Sequence, residues 1–149
     1  MTAQYLNVDL DIRSKSNLDS LLIEMGRKVA VMHCGPVGNR YLLAVETAAS
    51  HKDPDSSIHG LCDIIEEFSR SAREMWDDAV KQFDVGFEWK PRERASNFSL
   101  RPDTLQRMAK LGATLTVTHY RHARKPGRLP RNRPSVQPAP LRKRRAGRG

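Results

Sequence analysis

Tyr5-Leu6-Asn7-Val8-Asp9-Leu10-Asp11-Ile12 decides the reading of this chain. Leu6, Val8, Leu10 and Ile12 fall on one side of a period of two, and Tyr5, Asn7, Asp9 and Asp11 on the other. One apolar and one polar face mark a half-buried β-strand. A second such stretch lies far along the chain. There Phe83, Val85, Phe87 and Trp89 alternate with Asp84, Gly86 and Glu88.

Between these strands the period changes. Ser16 followed by Asp19 has the form of a capping box. Leu18, Leu21, Leu22 and Met25 then recur at helical spacing, and Gly26 can close the helix in a left-handed conformation. The apolar runs Val29–Cys34 and Tyr41–Thr47 flank Gly35-Pro36-Val37-Gly38-Asn39, which predicts a hairpin. A polar loop over 48–57 is expected to end in a helix cap at Asp55 or Ser56. Leu61, Cys62, Ile65, Phe68, Ala72, Met75, Trp76 and Ala79 form one apolar stripe, an amphipathic helix with a possible break near Ser69–Ser71. After a charged loop from Lys90 to Asn97, Pro102 suits a first helical position. Leu105, Met108 and Ala109 are expected to face inward, and Gly112 to end that helix. Leu115 and Val117 then alternate with threonines in a last strand.

The order is β-α-β-β-α-β followed by α-β. It predicts an α+β fold, a ferredoxin-like split βαβ sandwich extended by one helix and one strand. The predicted domain covers 1–122. In this arrangement the first and fourth strands are neighbours, with Leu6, Val8, Leu10, Phe83, Val85 and Phe87 facing the helices.

Charge divides the chain differently. Its net charge is +9, from 26 Lys and Arg against 17 Asp and Glu. Eleven of the basic residues lie between His119 and Gly149, where no acid occurs, so the first 118 residues carry a net of −2. Residues 123–149 combine Pro126, Pro130, Pro134, Pro138 and Pro140 with many arginines and few apolar side chains. Such a composition predicts a disordered basic tail. Met1–Asp9 lacks the pattern of a secretion signal, and no apolar run is long enough to span a bilayer. A cytoplasmic protein with no membrane partner is the expectation.

Residues Leu100–Tyr120, in which a Pro-started helix ends in Leu111-Gly112-Ala113 and a strand closes with Tyr120, resemble the C-terminal end of a group of small bacterial domains of unknown function. The opening Tyr5–Ile12 shares that resemblance. Together they cover about 30 residues, and the resemblance implies an immunity-type or other accessory protein. It transfers no residue role.

Motifs for catalysis are sparse. No Gly-x-Ser-x-Gly, His-Glu-x-x-His or phosphate loop occurs. Cys34 follows His33, but neighbours in a strand point to opposite faces and cannot form a nucleophile–base pair. His51, Asp53, Asp55 and His59 cluster near a helix start, and His119 and His122 are three apart. Capping and solvation account for them, so neither a metal nor a cofactor is expected. The expectation is a chain that is not an enzyme.

Two binding elements remain. Asp9 and Asp11 on the first strand, with Asp84 and Glu88 on the fourth, would place four carboxylates on the open sheet face. Carboxylates so close repel unless a cation is near. An RNA-binding sheet would carry aromatic and basic residues there instead. The expected partner is a protein, a cationic toxin or similar, with the chain acting in the manner of an immunity protein or antitoxin. The alternative uses the tail, whose Arg142, Lys143, Arg144 and Arg145 can contact phosphates without sequence preference.

Overall fold

The alternation at 5–12 becomes the central strand of a five-stranded sheet. A computed structural model describes residues 4–89 and 97–121. Its strands are β1 (Gln4–Ser14), β2 (Val29–Val37), β3 (Arg40–Thr47), β4 (Val80–Trp89) and β5 (Thr114–Arg121). Its helices are α1 (Asp19–Met25), α2 (Pro54–Glu66), α3 (Arg70–Asp78) and α4 (Pro102–Lys110). The sheet order is β2-β3-β1-β4-β5. All neighbouring pairs are antiparallel except β4 and β5, which run parallel. The chain is thus a mixed α+β protein. The tail residues 123–149, Arg142–Arg145 among them, lie outside the described residues, as does nearly all of the loop expected at 90–97.

The apolar face of β1 and β4 meets the helices as its pattern requires. Leu10 faces Phe83 and Val8 faces Val85 across the two strands. All four are buried, together with Ile12 and Phe87. Leu18, Leu21, Met25, Ile58, Leu61, Ile65 and Trp76 from the helices complete the core. Trp76 is fully buried. Its indole Nε1 donates to the Leu111 carbonyl at 2.9 Å, so the polar end of this large side chain is satisfied.

Leu6 departs from the expected register. The pairing of β1 with β4 shifts between Tyr5 and Asn7. An irregularity of one residue turns the following side chains over. Tyr5 takes the inward place opposite Phe87, at a ring separation of 6.0 Å, and Leu6 is left 44% exposed.

The helix ends also differ from expectation. The box at Ser16 and Asp19 does not form: the cap residue is Leu18, and Asn17 Oδ1 accepts from the Asp19 amide. Asp53, not Asp55 or Ser56, caps α2 by accepting from the Ser56 amide at 2.8 Å. The long stripe is two helices, broken where Ser69 Oγ accepts from the Ala72 amide to start α3. The hairpin turn shrinks to Gly38-Asn39, because β2 continues through Val37. Gly38 has φ +61, a conformation that favours glycine.

Helix α4 starts at Pro102 as expected, but its inner face is rotated. Thr104 and Met108 are buried, whereas Leu105 and Ala109 are exposed. The cause is a hydrogen bond from the Thr104 hydroxyl to the Asp55 carboxylate, which turns α4 toward α2. Leu115 and Val117 of β5 stay partly exposed at 39% and 40%. The helices concentrate over β1, β3 and β4, so the edge strand is incompletely covered.

Candidate functional site

The face of the sheet opposite the core gathers the predicted carboxylates. Asp9 pairs directly with Asp84 across β1 and β4, a placement that holds the two Cβ atoms about 4.5–5.5 Å apart. Asp11 lies two residues further along β1, opposite Gln82, and is 3.5 Å from Arg13. Glu88 stands near the other end of β4, opposite Gln4. Three of the four acids therefore crowd one spot, and Glu88 extends the group along the strand.

Glu46 was missed from sequence. It follows Val45, which faces Leu10, and so comes beside Asp9 on the third neighbouring strand. The signal was available: within Tyr41–Thr47 it is the acid on the polar side of the alternation. Only the strand order puts it next to Asp9.

Asn7 joins the two strands. Its Nδ2 donates to Asp9 Oδ1 at 3.0 Å and to Glu46 Oε1 at 2.5 Å. Gly86 makes the space: a Cβ there would lie 2.6 Å from Asn7 Oδ1 and 3.3 Å from the Tyr120 ring. On β5, Thr118 donates its hydroxyl to Asp84 at 2.7 Å.

Electrostatics follow from this crowding. Partial burial, the hydrogen bond to Glu46 and repulsion from Glu46, Asp11 and Asp84 push the Asp9 carboxyl up to about 7. Burial also raises Asp11, against the pull of Arg13. The Tyr120 phenol is raised by burial and then by the charges of Asp84, Asp9 and Asp11. At the end of β1 and β3 a polar cleft of about 190 Å³ opens, lined by Tyr5, Asn7, Glu46, His51 and Ser57 among others.

The acids at the helix seam behave oppositely. Asp55 accepts from the Arg101 amide at 2.9 Å, from Arg101 Nε at 2.7 Å and from Thr104 Oγ1 at 2.6 Å. These bonds outweigh burial and hold its carboxyl below the usual range. Arg107 bonds Glu66 at 2.8 and 3.0 Å and Asp63 at 2.5 Å. Glu66 is lowered accordingly. Arg107 Nη1 is also 2.7 Å from His59 Nδ1. A guanidinium can only donate, so Nδ1 accepts and the neutral ring carries its proton on Nε2. That buried atom approaches Asp103 at 3.3 Å, within ion-pair range but without hydrogen-bond alignment. Asp55 and His59, grouped in the sequence with His51 and Asp53, are thus drawn into fastening α4 to α2.

Among the described residues, no group of three or more His, Cys, Asp or Glu is arranged to hold a metal ion. Cys34 is exposed, and its Sγ donates to Asp19 at 3.5 Å. Burial and the Asp19 carboxylate raise its thiol, opposite to the shift that activates a nucleophile. Cys62 is buried and pushed up to about 11. No helix among the described residues is long and apolar enough to cross a membrane.

No family model, curated protein or solved structure matches the chain.

Proposed function

We propose that this chain is a non-catalytic binding protein of the immunity or antitoxin type, acting in the cytoplasm on a cationic protein partner. One observation carries the reading: Asp9, Asp11, Glu46 and Asp84 converge on the open sheet face, where Arg13 pairs with Asp11. Repulsion of this kind costs stability and is relieved by a partner that brings positive charge. The resemblance of Leu100–Tyr120 to small bacterial accessory domains points the same way.

The same reading takes the first four strands as a ferredoxin-like split βαβ sandwich. It is supported by the order β4-β1-β3-β2, antiparallel throughout, with helical connections from β1 to β2 and from β3 to β4. On this view α4 and β5 are an addition at the β4 edge.

Co-expression tests the function. The chain is produced in a bacterial host with the protein encoded beside its own gene. Wild type should suppress that protein's toxicity, and the Asp9→Asn/Asp84→Asn double variant should not. A harmless neighbour, or equal rescue by the variant, contradicts the reading.

A second reading rests on sequence alone. Arg142, Lys143, Arg144 and Arg145 lie in an acid-free segment, which suits a nucleic-acid-associated accessory protein binding phosphates through its C-terminus. Removing 123–149 should then abolish nucleic-acid binding while leaving toxin suppression intact. Unchanged nucleic-acid binding after removal would contradict it.

A further inference from the structure

We propose that the hollow between the short turn Gly26–Lys28, the loop after β3 and α2 binds a small carboxylate with an apolar body. Its volume is about 510 Å³, within the range of about 300–1,000 Å³ that small-molecule sites occupy. Three parts of the chain wall it: Arg27 and Lys28 before β2, the end of β3 with the residues after it, and one side of α2.

Small side chains make the space. Gly60 of α2 has none, and a Cβ in its place would stand 3.0 Å from His51 Nε2 and 3.2 Å from Thr47 Cγ2. The helix therefore comes close to the chain that leaves β3. Ala48 and Ala49 add only methyl groups, and Ile64 supplies a buried apolar floor. Hydrogen bonds hold the walls: the Ala48 amide donates to the Lys28 carbonyl, and the Thr47 hydroxyl to the Ala49 carbonyl, each at 2.9 Å. A hollow formed before binding loses less freedom when it is filled.

Charge selects the ligand. Lys28 is paired with Glu67, just past the end of α2. Arg27 is exposed and makes no ion pair or hydrogen bond among the described residues. No acid is among the described residues that line the hollow. One unpaired guanidinium matches one negative charge, and its planar fork of donors fits a carboxylate. A phosphate monoester brings nearly twice that charge, more than Arg27 alone balances. Ala48, Ala49 and Ile64 suit a hydrocarbon body. His51 stands on the wall shared with the polar cleft, whose far side carries Glu46. Glu46 repels an anion, so the carboxylate end points toward Arg27.

Octanoate, titrated into the full chain and followed by amide NMR, tests the site. It should give saturable shifts at Ala48, Ala49, Gly60 and Ile64. Octylamine, of the same length and opposite charge, should give none that saturate. Arg27→Gln, at an exposed position that leaves the core untouched, should weaken octanoate binding by about tenfold, the worth of a hydrogen bond to a charged group. No saturable shift at the hollow up to about 10 mM octanoate would overturn the proposal. So would equal saturation by octylamine, or an affinity for octanoate that is unchanged in Arg27→Gln. None of these outcomes involves the acids of the open face, so they leave the cationic-partner reading to its own test.

Discussion

Two acidic groups in this molecule have opposite fates. At the seam between α2 and α4, Asp55 and Glu66 meet Arg101, Thr104 and Arg107, and both carboxyls are held below their ordinary range. On the open sheet face, Asp9 and Asp11 meet other acids, and both are raised. The seam acids serve the fold. Those on the face oppose it, and proteins that tolerate such opposition commonly do so where they bind something.

The core beneath both regions sets the scale. Trp76→Ala should cost about 3–5 kcal/mol, since it removes a fully buried indole and opens a cavity. Chemical denaturation measures it. A loss under about 1 kcal/mol would mean that the site collapses around the gap.

At the seam, Asp55→Ala should cost about 2–3 kcal/mol, because it strands the buried Thr104 hydroxyl and the Arg101 amide. The Arg101 ion pair adds little to this loss, because its side chain is 62% exposed and screened by solvent. Asp55→Asn keeps one acceptor and should cost less. Equal losses would show that charge, rather than the hydrogen bonds, fastens α4.

The open face should respond with the opposite sign. Glu46→Gln removes repulsion from a half-exposed carboxylate, so at pH 8 it should raise the melting temperature, by the equivalent of about 0.5–1 kcal/mol. A fall in melting temperature would mean that the face is compensated, and the contrast with the seam would fail.

Stability against pH combines both regions. Asp9 is raised when folded, so the folded state binds more protons between about pH 4 and pH 7 than the unfolded chain. Its cost to stability is full above pH 7 and declines as pH falls through that window. Asp55 and Glu66 are lowered, so their contribution is present above the unfolded value near 4 and is lost as pH drops below it. Melting temperature should therefore peak in mildly acidic solution, between about pH 4.5 and pH 6.5. Glu46→Gln should flatten the alkaline side and leave the acid limb unchanged. Melting curves across pH measure both limbs, and a wild type with no alkaline decline would contradict the assignment of Asp9.

The sequence carries this contrast only in part. Alternation at 5–12 and 83–89 places Asp9, Asp11, Asp84 and Glu88 on one face, because a period of two leaves no other choice once the apolar side is buried. Glu46 needs the strand order as well, since which strands lie side by side is a long-range property. Leu6 fails because a one-residue irregularity leaves no trace in a hydrophobic pattern. Leu105 and Ala109 fail for another reason: α4 is turned by the bond from Thr104 to Asp55, a polar contact 49 residues apart. Asp55 itself reads as a local cap. It instead serves a different helix, and local pattern cannot reveal that.

The central claim is that the open face is a surface for positive charge and the seam is not. Titrating the full chain with a ten-residue lysine peptide at low salt, followed by amide NMR, tests it most directly. The account predicts shifts at Asn7, Asp9, Asp11, Glu46 and Asp84 that fade as salt rises, with Asp55 and Glu66 unmoved. Shifts centred on the α2–α4 seam, or none on the open face, would contradict it.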